Sequence, residues 1–231
     1  MFRRHFKWFA VVGLAVLVCV APAAYAAPIQ NGSATLGYLI GSDGIQCGDK
    51  LFSEFGYLAT GDMPAASGVN VLCHSVAGNL GLRFQGGFVD GPGGGSSDAV
   101  ISYTVTVTDP RFVITDAHLD GNPQLLPPYG TGIMSVVETF TPDAPNNTMS
   151  IFDIKPGSYN QNSDFTIFAT GHKTLHVQKD IFGWAIGGFS YATLSYVDQT
   201  YSQTAVPEPG TLGLLGIGLL GFAGYSWRRR R

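Results

Sequence analysis

The chain has 231 residues, 45% of them hydrophobic and only 13% charged, with a formal net charge of −3 at pH 7. That length allows one domain with a substantial core plus short appendages. The charge balance excludes a strongly basic protein built to hold nucleic acid or an anionic membrane surface.

The chain opens on MFRRHFKWFAVVGLAVLVCVAPAAYA. Arg3, Arg4 and Lys7 make a basic start, and residues 9–20 form an apolar run too short to span a bilayer comfortably. Ala24, Tyr25 and Ala26 then give the small-x-small pattern of a cleavage site. This predicts a secretory signal peptide over residues 1–26, with the mature chain starting at Ala27. Removing its three basic residues, the four terminal arginines and Glu208 leaves six basic and fifteen acidic residues. The mature segment is therefore acidic, which suits neutral sugars or divalent cations better than polyanions.

Cys19 leaves with the signal peptide. Cys47 and Cys73 remain, an even count in an oxidising compartment, and are expected to form a disulfide.

Residues 27–205 alternate with a period of two nearly throughout. In ISYTVTVT, Ile101, Tyr103, Val105 and Val107 share one face, with Ser102, Thr104, Thr106 and Thr108 on the other. In TLHVQKDI, Leu175, Val177 and Ile181 oppose His176, Gln178 and Asp180. LGLRFQGGF, FVITDAHL, IMSVVETF, MSIFDI and YATLSYVDQTYSQ also read as strands, separated by clusters of Gly, Pro, Asn and Asp. DGPGGGSSD, residues 90–98, reads as a loop too short to divide two domains. The expected fold is all-β: a single antiparallel, jelly-roll-like β-sandwich without an amphipathic helix.

Chemistry-bearing patterns in this segment are incomplete. Asp116, His118 and Asp120 in DAHLDGN point to one face of a strand and imitate the start of a calcium loop, but Pro127 stands where the bidentate Glu belongs. GPGGGSSDA fails as a calcium nonapeptide at Ser96 and has no second copy. His172 and His176, four apart, lack the rest of a zinc motif. GFSYA lacks the final glycine of a nucleophile elbow around Ser190. Glu54 and Glu138 are the only glutamates before the tail and form the one conceivable glutamate pair for glycoside hydrolysis. No metal, cofactor or enzymatic activity is expected.

The chain ends in VPEPGTLGLLGIGLLGFAGYSWRRRR. Pro207 and Pro209 hold Glu208 in extended backbone. Residues 211–227 are apolar on all faces and just long enough for a thin bilayer, which predicts a transmembrane helix. Arg228, Arg229, Arg230 and Arg231 would resist translocation. This three-part tail over residues 206–231, behind a signal peptide, resembles the PEP-CTERM sorting signal of Gram-negative bacteria. The resemblance implies recognition of Pro207, Glu208 and Pro209 by a membrane-embedded exosortase. It implies transient residence in the inner membrane, then a surface or extracellular location associated with exopolysaccharide and biofilm. LGLRFQGGFVDG, DAVISYTVTV, SVVETF and LHVQKDI also resemble an ectodomain type found ahead of such signals, to which no activity attaches.

These readings point to an exported structural or adhesive matrix protein. A carbohydrate-binding module is the alternative; it would need exposed aromatics, for which Tyr129, Tyr159, Trp184, Tyr191 and Tyr201 are available. A secreted hydrolase is the third reading and would need a pocket with convergent acid and base groups.

Overall fold

A computed structural model describes residues 27–142, 147–157, 159–206 and 209–229. The expected signal peptide, and Pro207, Glu208, Arg230 and Arg231 of the tail, lie outside the described residues. The strands are β1 (Ile29–Gln30), β2 (Ser33–Thr35), β3 (Ile45–Cys47), β4 (Lys50–Thr60), β5 (Asn70–Val76), β6 (Asn79–Asp90), β7 (Ser97–Val107) and β8 (Phe112–Gly121). They continue as β9 (Gln124–Leu126), β10 (Thr131–Thr141), β11 (Thr148–Lys155), β12 (Tyr159–Gln161), β13 (Ser163–His172), β14 (Thr174–Ile186) and β15 (Tyr191–Ala205). Two helices are α1 (Leu36–Leu39) and α2 (Pro209–Arg228).

The strands form two sheets, as the alternation predicts. The first has the order β1-β3-β4-β7-β14-β10-β11-β12. The second has the order β13-β8-β15-β6-β5-β2, with β9 also paired to β15. Pairing is antiparallel except between β1 and β3, which run parallel from Ile29 opposite Ile45, so the sandwich is mixed and not wholly antiparallel. The core fills the space between the sheets. Ile101, Tyr103, Val105 and Val107 turn inward from β7, and Phe52, Phe84 and Tyr201 meet them. The sequence shows no helical period here, yet one turn, α1, buries Leu36 and Leu39. Thr35 caps it by accepting the Tyr38 N–H. Four residues are too few to display a period.

Cys47 of β3 and Cys73 of β5 are disulfide-bonded, with Cα atoms 5.5 Å apart. The bond joins the first sheet to the second near their β1–β2 end.

The tail needs a correction. Residues 211–227 are helical, but the helix starts earlier, with Pro209 as its first residue. Proline suits that position, since the first N–H of a helix has no partner to lose. Among the described residues no helix is long and apolar enough to cross a membrane. Gly210, Gly213, Gly216, Gly218, Gly221 and Gly224 dilute the hydropathy that Leu214, Leu215, Ile217, Leu219, Leu220 and Phe222 supply.

Candidate functional site

The outer face of the first sheet is where the structure gathers exposed aromatic groups. Register sets the arrangement. Trp184 of β14 is opposite Ile133 of β10, Ile133 is opposite Ile154 of β11, and Ile154 is opposite Tyr159 of β12. All four point outward, and the row ends in rings that are 45% (Trp184) and 68% (Tyr159) exposed. Three interstrand steps make this row about 14 Å long. The next row, Phe182, Ser135, Phe152 and Gln161, runs parallel to it. Together they make a flat apolar surface with polar groups interleaved. Gly132 lets the strands close beneath it: its φ is +147°, and a Cβ there would stand 2.0 Å from the Trp184 carbonyl oxygen.

Two loops extend the surface at the same end. Tyr129 lies between β9 and β10, and Phe189 between β14 and β15; each is 87% exposed. The Thr131 N–H donates to Ser190 Oγ at 3.2 Å, tying these loops together. Ser190 is thus a buried structural contact, not an exposed nucleophile. Four of the five aromatics proposed from sequence, Tyr129, Tyr159, Trp184 and Tyr191, are exposed and lie at or near this end of the sandwich. Tyr201 is fully buried and bonds the Tyr103 hydroxyl at 2.8 Å.

At the β12 edge, a groove of about 460 Å³ is lined by Asn122, Gln124, Asp153, Lys155, Asn160 and Asn162. Asp153 and Lys155 are occupied: Asp153 Oδ2 accepts the Leu125 N–H at 2.7 Å, and Lys155 Nζ donates to the Leu125 carbonyl at 3.1 Å. The carboxamides of Asn160 and Gln124 remain to offer both donors and acceptors, as sugar hydroxyls require. Tyr159 and Asn160 are adjacent in β12, so their side chains leave opposite faces, one to the flat row and one to the groove.

Beside Phe182, Asp180 of β14 and Asp98 of β7 are diagonal neighbours on one face of the first sheet. Burial, then the Asp98 charge, pushes the Asp180 pKa above the ordinary carboxylate value. Glu54 and Glu138, the glutamate pair of the sequence, are not brought together. Glu54 sits exposed at a bulge in β4 with φ 56°, where it accepts from Thr104 Oγ1 at 2.5 Å; Glu138 is fully buried between the sheets.

Asp116, His118 and Asp120 do share a face, on the outside of β8. Their partners are local. His118 Nε2 is 3.0 Å from Asp116 Oδ1, and Asp116 also accepts the Ser202 N–H at 3.1 Å. Asp120 lies across from Asp198, which Arg83 holds by two hydrogen bonds of 2.6 and 2.7 Å. Burial, then the Asp198 charge, raises the Asp120 pKa. Among the described residues no three His, Cys, Asp or Glu side chains are arranged to hold a metal ion. His172 and His176 do not share a face, because the chain changes sheets between them: His172 ends β13 and His176 lies in β14.

The most evident group that sequence reasoning missed is a buried one. Lys179 faces inward from β14 beside Glu138 of β10, and both are 0% exposed. Its signal was in the alternation, since Lys179 falls in phase with Leu175, Val177 and Ile181.

Among solved structures, the fold is similar to TmCBM61 in complex with β-1,4-galactotriose, at 10% identity over 63% of this chain and 88% of that one, TM-score 0.31. It is also similar to carbohydrate-binding modules from the β-sandwich superfamily, at 13% identity over 78% of this chain and 64% of that one, TM-score 0.26. A third similarity is to the enzymatically active domain of bacteriophage CBA120 tailspike protein 4, at 12% identity over 62% of this chain and 19% of that one, TM-score 0.27. No curated protein matches the chain. At the C-terminus, residues 205–231 match the PEP-CTERM protein-sorting motif.

Proposed function

We propose that this is an exported surface protein that binds extracellular polysaccharide through the outer face of its first sheet and so acts as an adhesive or structural part of the matrix. The observation that carries the reading is the row Trp184, Ile133, Ile154 and Tyr159, which ends at the β12 edge where the carboxamide-lined groove opens on the opposite face. A sugar ring presents C–H groups to an aromatic face and hydroxyls at its rim. None of the four side chains in the row is charged, which suits a glycan with little charge. An exposed apolar face of this kind marks an interaction site, and the acidic mature segment disfavours a polyanion.

In this reading residues 1–26 are a signal peptide, 27–205 the binding domain and 206–231 the sorting signal. The domain is a jelly roll, supported by the strand orders β7-β14-β10-β11 and β6-β15-β8-β13, in which the chain repeatedly crosses between sheets. An exosortase-like enzyme recognises Pro207, Glu208 and Pro209 while α2 and the terminal arginines hold the precursor at the inner membrane. The mature form reaches the cell surface or the medium.

A glycan array probed with the purified full chain in detergent tests the binding function. Binding to neutral polysaccharide that Trp184→Ala weakens at least tenfold is the expected result. Absence of binding, or equal binding by both proteins, overturns it.

A further inference from the structure

Three polar side chains meet in the centre of the sandwich, where apolar ones would pack at lower cost. Lys179 of β14 donates from Nζ to Glu138 Oε2 on the neighbouring strand of the same sheet. The same Nζ donates to Oε1 of Gln199, which reaches across from β15 of the other sheet, at 2.5 Å. All three residues are 0% exposed. Neither Glu138 Oε1 nor Gln199 Nε2 has a hydrogen-bond partner among the described residues. Tyr103 and Tyr201, whose hydroxyls bond each other, are also buried in this region.

Nothing in folding favours such a group. Burying an ion pair costs several kcal/mol per ion before attraction is counted. An unpartnered buried amide costs roughly 1–3 kcal/mol more. Chemistry gives the three groups a common use. An amine in a dry site loses its proton and becomes a nucleophile. A carboxamide is an acyl group with ammonia as its leaving group. A carboxyl beside both can take a proton from one nitrogen and give it to the other.

We propose that Lys179 and Gln199 condense into an intramolecular isopeptide bond, with Glu138 carrying the proton. The Nζ lone pair attacks Cδ of Gln199 to give a tetrahedral carbon. Glu138 accepts a proton from Nζ on Oε2 and delivers one from Oε1 to Nε2 once the tetrahedral carbon has turned Nε2 toward it, the two atoms not being hydrogen-bonded before attack. The Cδ–Nε2 bond breaks, and ammonia leaves. One amine and one primary amide become one secondary amide plus ammonia, with no oxidation or reduction and no co-reactant.

The geometry holds the amine beside the acyl group. With Nζ 2.5 Å from Oε1 and a C=O bond of about 1.2 Å, Cδ lies no more than about 3.7 Å from the amine. Such held proximity replaces a bimolecular encounter. Burial excludes water, which would otherwise compete for the acyl group. Burial also favours the neutral amine and the protonated carboxyl: it lowers the Lys179 pKa and raises that of Glu138 to about 7.

The bond would fasten β14 of the first sheet to β15 of the second, as the Cys47–Cys73 disulfide fastens β3 to β5. It would resist reductants, which the disulfide does not. The proposal is independent of the glycan reading and is tested separately.

Mass spectrometry decides it without a variant. The purified full chain is denatured, reduced, alkylated and digested with trypsin. The expected product is a peptide starting at Thr174 that runs uncut past Lys179, includes Gln199, and is lighter by one ammonia, about 17 Da. Recovery of the free peptide from Thr174 to Lys179 at its sequence mass as the sole product overturns the bond. A loss of water, about 18 Da, with Lys179 joined to Glu138, overturns the choice of Gln199 as acyl group. Glu138→Gln keeps the shape and removes the proton carrier, so the free peptide should return from a chain whose near-UV spectrum is unchanged. Full crosslinking in that variant overturns the role given to Glu138.

Discussion

Trp184 and Ile133 lie directly opposite each other on β14 and β10, and both face away from the core. That pairing sets one end of the flat row that closes at Tyr159. It brings together residues far apart in the chain, and the strands beneath it are held by backbone pairing that does not depend on the exposed rings. Trp184→Ala and Tyr159→Ala should therefore separate binding from folding. Each should weaken glycan affinity about tenfold, or about 1.4 kcal/mol, with the melting temperature within a degree or two of the parent. Isothermal titration beside thermal denaturation would show it. A large drop in melting temperature would mean that the rings are packing groups.

The disulfide makes a second claim. Cys47 and Cys73 are 26 positions apart, and closing that loop restricts the unfolded chain. The loop-closure relation gives about 3.5 kcal/mol. A Cys47→Ser/Cys73→Ser chain should unfold at clearly lower denaturant with similar slope. Equal midpoints would show that the bond contributes no net stability.

Glu138 gives the fold a pH dependence of definite sign. Burial raises its pKa from 4.5 to about 7, and the nearby Lys179 only partly offsets this. Between those values the folded carboxyl keeps a proton that the unfolded one has released. The stability from this group is therefore fully present below about pH 4.5 and is lost as pH rises through about 7. Urea unfolding from pH 4.5 to 7.5 should show this descending contribution, and Glu138→Gln should flatten it. A Glu138→Gln curve that keeps the parent's slope would assign the titration elsewhere.

How much of this was legible beforehand follows from what a period of two can report. It placed Ile101, Tyr103, Val105 and Val107 in the core and Asp116, His118 and Asp120 on one outer face. It also put Lys179 in the buried phase of β14, but a lysine reads as solvated unless its partner is visible, and Glu138 is 41 positions away. Tyr201, one of the five aromatics available for an exposed face, is buried instead. A bulge between Leu194 and Tyr196 shifts the phase of β15, so Val197, Gln199 and Tyr201 turn inward. The flat row depends on register among four strands, which no single strand encodes. Spacing also does not show that His172 and His176 lie in different sheets, because the change of sheet at Lys173 leaves no mark in it.

The tail carries the last prediction. Six glycines in α2 each cost about 1 kcal/mol of helix stability relative to Ala, and no described helix is long and apolar enough to cross a membrane by itself. If the tail nonetheless arrests the precursor, charge must supply what the helix lacks, because arginines resist translocation. Replacing Arg228, Arg229, Arg230 and Arg231 with Ser or Gln should let the precursor slip from the inner membrane. Replacing Pro207, Glu208 and Pro209 with Ala should have the opposite effect. Arrest should persist, since no arginine and no apolar length is lost, while the side chains that a processing enzyme would recognise are gone and the helix could extend N-terminally from Pro209 through the substituted positions. An epitope tag between the signal peptide and β1, followed by fractionation, distinguishes the two. The arginine variant should lose its inner-membrane pool, and the alanine variant should accumulate there at full length. An alanine variant that is trimmed and delivered like the parent would show that Pro207, Glu208 and Pro209 are not the processing signal.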